Sequence, residues 1–155
     1  MKRLGLGIIV AIGLTLPAFG QGVDPLIGTW KLNLEKSTFT GRVPPKSRTA
    51  TWAVDGENLA VTIEGVEAKG QPLKLTVKLI NDGRPHPVIG SPDNESNSNI
   101  YHRIGNSING TFFKDGKVVG LAQVQLVPGK TVTVIEEGID AGDLRYHDVL
   151  VFERQ

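Results

Sequence analysis

Repeated two-residue alternation, cut at regular intervals by glycine, limits this chain more than any other feature. Leu73, Leu75, Val77 and Leu79 fall on one face of an extended segment, with Lys74, Thr76 and Lys78 on the other. Leu59, Val61 and Ile63 alternate in the same way with Ala60, Thr62 and Glu64. Alternation over such lengths marks half-buried strands. No helical period extends beyond about two turns, well short of an ordinary helix. The one place for a short helical turn is Leu34 to Phe39, before Pro44-Pro45 forces extended backbone. The punctuation is equally regular. Asp55-Gly56, Asp82-Gly83 and Asp115-Gly116 each separate two runs, and Asp-Gly suits the tight hairpin turn in which both central residues take positive φ. The spacing predicts nine strands: 27–34, 47–54, 58–66, 72–80, 97–104, 107–114, 117–127, 130–138 and 144–153. Hairpins in unbroken succession make an all-β antiparallel up-and-down meander. Closure into a barrel is the economical way to remove its two exposed edges.

The first twenty residues stand apart from this pattern. Lys2 and Arg3 precede a charge-free run from Leu4 to Phe19, and Ala18-Phe19-Gly20 offers small residues where a signal peptidase reads. This is the layout of a cleaved secretory signal peptide over 1–20, with the barrel domain at 21–155 and a periplasmic or secreted destination. The apolar run is shorter than the ~20 residues a spanning helix needs, so no membrane insertion is expected once the signal is removed. Loss of Lys2 and Arg3 from 17 basic residues leaves 15 against 16 acidic ones. A near-neutral chain has no electrostatic footprint for nucleic acid. With no cysteine there is no disulfide, thiolate nucleophile or cysteine-ligated metal.

Gly28-x-Trp30 at the head of the first strand, in a meander of this kind behind a signal peptide, resembles the lipocalin and wider calycin group. A closer likeness, over nearly the whole mature chain, is to small secreted bacterial lipocalin-like proteins of uncharacterised function. It is carried by Gly28-Thr29-Trp30-Lys31-Leu32-Asn33, Lys36-Ser37, Phe39, Pro87-Val88, Gly90, Pro92-Asp93 and Glu153-Arg154-Gln155. The resemblance implies that Gly28 and Trp30 close one end of the barrel with a basic residue near the end of the last strand, here Arg154, with Arg145 as the competitor. Any ligand is then expected at the opposite mouth.

Residues 81–96, with three prolines and two glycines, form the one long connection, a lid or rim segment carrying His86, Pro87, Gly90, Pro92 and Asp93, or a solvated loop on the outside. Beside it, strand 97–104 mixes Tyr101, His102 and Arg103 with few apolar residues. Either Tyr101 and Arg103 or Ile100 and His102 face the lumen. Gln123 and Gln125 form a second polar pair. These five are the candidate ligand-binding residues, because a polar group in a lumen needs a partner that a ligand or ordered water can supply.

Other chemistry has weaker support. His86, His102 and His147 lack the close spacing of a metal site. Glu136, Glu137, Asp140 and Asp143 gather around one turn without the spacing of a calcium loop. Gly90-Ser91-Pro92 lacks the context of a nucleophile elbow, and Asn94-Glu95-Ser96 and Asn109-Gly110-Thr111 match a glycosylation pattern of little weight in a bacterial context. The expectation is an exported barrel that binds a small, largely apolar ligand without covalent chemistry, catalytic residue, metal or cofactor. A protein-interaction module, such as a barrel-type protease inhibitor using residues 36–47 or the long loop, is the alternative. A small barrel enzyme (isomerase, cyclase or hydrolase) is a third.

Overall fold

The structure, a computed structural model, describes residues 23–90, 96–127, 129–140 and 142–155. The expected signal peptide, Pro92 and Asp93 lie outside the described residues. Among the described residues the chain forms eleven strands and no helix: β1 (Gly28–Leu32), β2 (Thr38–Thr40), β3 (Ser47–Asp55), β4 (Asn58–Val66), β5 (Pro72–Leu79), β6 (His86–Ile89), β7 (Ser98–Ile104), β8 (Ser107–Lys114), β9 (Lys117–Val127), β10 (Thr131–Ile139) and β11 (Arg145–Arg154). Ten of them form an antiparallel ring, β1-β3-β4-β5-β6-β7-β8-β9-β10-β11, and β11 returns to β1. The extra strand β2 lies along the first half of β11, through His147↔Thr40 to Val149↔Thr38. Closure leaves the ring no free edge.

The alternation seen in the sequence sets the phase of each strand. Val61 and Val77 are buried in neighbouring strands and directly opposite each other, while Glu64 and Lys74 pair on the outside at 2.9 Å. The apolar faces of the strands meet in one core that includes Trp30, Leu32, Ile108, Leu126 and Phe152. Leu26, from the segment before β1, plugs this core at its lower end and is 0 % exposed.

Three features depart from the sequence-based expectation. Only Asp115-Gly116 adopts the anticipated turn, with φ of 50° and 77°. At Asp55-Gly56 only the glycine is left-handed, and Asp55 pairs with Asn58, so the two-residue loop is Gly56-Glu57. Asp82-Gly83 lies in the longer connection 80–85 between the antiparallel β5 and β6 rather than in a two-residue turn. The second departure is β2, where the sequence allowed a helical turn: the chain turns at 34–36 and then runs extended. The third is β6. Residues 86–89 of the expected loop are a strand that bridges β5 and β7 with two registered pairs on each side. That segment is therefore partly barrel wall, and the connection 80–85 before it lies at the Trp30 end.

Candidate functional site

The barrel has one closed and one open end. At the closed end Trp30 is 0 % exposed and donates its indole N–H to the Leu26 carbonyl at 2.8 Å. Arg154, paired in register with Trp30, lies over the ring with Cζ 4.3 Å from its centroid. Its guanidinium donates to the carbonyls of Pro25 (2.6 Å) and Ile27 (3.1 Å). Gly28 has φ +132°, and a Cβ there would lie 2.7 Å from the Arg154 guanidinium, so the glycine makes room for the stack. Arg145 lies at the opposite end of β11.

Arg103 belongs to this closed end as well. Its guanidinium donates to both Asp24 oxygens, at 2.5 and 3.2 Å, and ties down the segment that carries Leu26. Burial alone would raise the Asp24 pKa. The Arg103 hydrogen bond, the Leu26 N–H and the guanidinium charge outweigh it and hold the carboxyl below its ordinary value.

At the open end, Gly41, Arg42, Val43 and Pro45, Glu67 to Lys69 with Gln71 and Pro72, Val119 to Leu121, and Ile139, Asp140 and Leu144 contribute to the rim and walls of a cavity of about 920 Å³. Its apolar walls include Ile63, Leu73, Leu75 and Phe112. Its polar part is built where strands place charges on the apolar phase. Asp148 shares its face of β11 with Leu150 and Phe152 and is 0 % exposed, and Glu136 shares its face of β10 with Val132 and Val134. The chain leaving β2 carries Arg42 over them. Its Nε donates to Asp148, its Nη2 donates to Glu136 at 2.5 Å, and its Cζ lies 4.1 Å from the Tyr146 ring centroid. The second Asp148 oxygen accepts the Thr40 N–H at 3.0 Å. Burial pulls the Arg42 pKa down, but the charges of Glu136 and Asp148 raise it by more and keep the guanidinium ionised. Arg48, from β3, is held more loosely, with nitrogens 3.4 Å from Glu67 and 3.9 Å from Glu136.

Two side chains keep buried polar atoms without hydrogen-bond partners among the described residues. They are Arg48, through Nε, and Asn99, through both amide atoms. Buried polar groups are nearly always paired, so an exception calls for an explanation. Asn99 is opposite Phe112 in register, hence on the same face as a residue of the cavity wall. Tyr101, next inward on that face of β7, packs edge-on to Phe112 with centroids 6.1 Å apart. Burial first, and then the charge of Glu136, raise the pKa of its phenol, which stays protonated at neutral pH. The arrangement can orient a polar group by charge and hydrogen bonds.

The candidate residues from the sequence are thus divided. β7 turns Tyr101 and Arg103 inward and His102 outward, where the imidazole Nδ1 lies 3.1 Å from Asn81. Tyr101 sits in the packed core and Arg103 at the closed end, so neither lines the cavity. Gln123 and Gln125 are exposed on the outer face, because the same pleat buries Val124 and Leu126. His86 and Pro87 lie in β6, with His86 Nε2 2.9 Å from Asp82, and Gly90 follows that strand. Of the described residues of the 81–96 segment, Ser96 reaches the cavity rim. The acidic turn divides too: Glu136 faces in, Glu137 faces out beside His147 at 3.5 Å, and Asp140 caps its own turn. Among the described residues no group of three His, Asp or Glu side chains could hold a metal ion.

No protein-family model and no curated protein matches this chain. Solved structures do match, over most of its length. The M. tuberculosis protein Rv2717c superposes with a TM-score of 0.53 at 17 % identity, covering 85 % of this chain and 94 % of its own. The zebrafish ileal bile acid-binding protein, crystallised with cholic acid, gives 0.50 at 11 % identity, covering 85 % and 100 %. The siderocalin Ex-FABP gives 0.40 at 13 %, covering 85 % and 75 %. The fold is a lipocalin-like, calycin-type β-barrel.

Proposed function

We propose that this barrel is an exported binder of a small, largely apolar ligand, which it takes into the cavity opposite Trp30 and holds without covalent chemistry. The observation that carries the reading is the cavity itself. At about 920 Å³, with walls that include Ile63, Leu73, Leu75 and Phe112, it falls within the size range of small-molecule sites. The zebrafish ileal bile acid-binding protein, a barrel of similar fold crystallised with cholic acid, supports the reading. Export rests on the composition of residues 1–20.

Native mass spectrometry of protein recovered from the periplasm or medium, together with titration by an environment-sensitive fluorophore, tests the reading. A co-purifying small molecule or saturable probe binding is expected. The substitution Leu75→Glu, which puts a charge on the apolar wall, should weaken binding by about tenfold or more. Folded protein that carries no molecule and binds no probe would overturn the reading.

A further inference from the structure

The carboxylates that hold Arg42 form a receptor whose occupant is part of the chain itself. Glu136 and Asp148 lie directly opposite each other on β10 and β11, and both face inward. Tyr146 stands on the same face of β11, two residues before Asp148. Two convergent carboxylates beside an aromatic face suit an organic cation, which gains charge-assisted hydrogen bonds and a π contact together. Arg42 supplies that cation, with Nε on Asp148, Nη2 on Glu136 at 2.5 Å and Cζ 4.1 Å from the Tyr146 ring centroid. Arg42, Glu136 and Tyr146 all line the cavity, so the receptor is part of its wall.

The segment that brings Arg42 there is lightly attached. It runs from Thr40, whose N–H is held by Asp148, to the buried Pro45. Between them residues 42–44 make no backbone hydrogen bond among the described residues, Pro44 has no N–H to give, and Val43 is 73 % exposed. The Arg42 side chain is the polar tether of this stretch. Lifting it away would leave Asp148, which is 0 % exposed, and Glu136 without their counter-ion, and an unpaired buried carboxylate is strongly destabilising. An uncharged or anionic head group cannot take the place of Arg42 without that loss. A cationic one exchanges like for like and returns the guanidinium to water. With Arg42 lifted, Arg48 and Lys69 would face Glu67, Glu136, Asp140 and the uncovered Asp148, two cations against four carboxylates. We propose, resting on the reading just given, that Arg42 is a tethered occupant of a cation site, and that the ligand's head group is an alkylammonium or alkylguanidinium that displaces it while the apolar body lies along Ile63, Leu73, Leu75 and Phe112.

The test is a matched series of octylguanidine, octylamine, octanol and octanoic acid, each displacing an environment-sensitive fluorophore from the folded barrel at neutral pH. The two cations are expected to bind about tenfold tighter than the alcohol or the acid. Octanol or octanoic acid binding as tightly as the cations overturns the inference and leaves the cavity reading intact. A barrel that binds neither the fluorophore nor any of the four takes both down. Trypsin reads the displacement itself, because Arg42 must leave its carboxylates before the bond to Val43 can be cut. Cleavage there, mapped by peptide mass, should speed up in saturating octylamine and not in octanol; an unchanged rate with octylamine bound overturns the displacement. Two variants localise the effect, each checked by melting for an intact fold. Glu136→Gln should weaken both cations about tenfold with little change for octanol. Arg42→Gln removes the tethered competitor and should strengthen both cations by about the same factor. Cations that bind Glu136→Gln as they bind the parent remove this cluster from the site, and that result stands whether or not Arg42→Gln folds.

Discussion

At the closed end, the groups carried by residues 24–30 meet their partners: the Trp30 indole N–H on Leu26, Asp24 on Arg103, and the Pro25 and Ile27 carbonyls on Arg154. At the open end Asp148 is buried and paired with Arg42, yet Arg48, which shares Glu136 with Arg42, and Asn99, opposite Phe112 on β7, keep polar atoms that nothing among the described residues satisfies. One barrel thus finishes its polar accounts at one end and leaves them open at the other. A fold under selection for stability alone would have filled the second end with apolar side chains. Unmet polar groups beside a cavity are the kind of local inconsistency that accompanies a site.

The contrast can be broken from either side, and the largest effect belongs to the closed end. Trp30→Ala removes a fully buried ring and the platform for Arg154, and should cost about 3–5 kcal/mol in denaturant melts. A variant that melts like the parent would show that this end does not anchor the barrel. At the open end, Arg42→Met leaves the Asp148 carboxylate buried beside an apolar side chain and should cost about 3 kcal/mol. Replacing both partners, Arg42→Met with Asp148→Leu, should recover most of that loss. If the double variant stays as unstable as the single one, the pair supports more than itself.

The smallest effect is one of pH. Folding lowers the Asp24 pKa, so this group's contribution is complete above its unfolded value of about 3.9 and is lost as pH falls through the lower folded value. Asp24→Asn should therefore melt below the parent at neutral pH and match it in strong acid, as urea titrations at the two pH values would show. An equal deficit at both would mean that the carboxylate's charge is not what fixes Leu26 in place.

Much of the closed end was legible because its parts are local or sit at strand ends. Gly28-x-Trp30 is contiguous, and Arg154 is found by looking for a cation where the last alternating run stops. The two short strands were harder to see. β2 has three residues and β6 has four, one of them Pro87, too few for alternation to register, and both take their extended form from the strands they join. The polar cluster was missed for a different reason. Glu136 and Asp148 announce themselves as charges on the apolar phase of β10 and β11, but reading Glu136 with its neighbour Glu137 grouped it by sequence instead of by face. Arg42 lies outside any regular strand, between β2 and β3, and nothing in the linear order brings it to Asp148. The same error of face placed Gln123 and Gln125 in the lumen, although Val124 and Leu126 between and beyond them already claimed that side.

The bond from Arg154 to Ile27 joins positions 127 residues apart. Ring closure is therefore the most non-local event in the folding of this chain, and the hairpins from β3 to β11 can zip together before it happens. Until β11 reaches β1, each carries an unpaired edge open to other copies, so the interval before closure is when this barrel is most exposed to aggregation. A chain truncated just before β11 would live permanently in that interval.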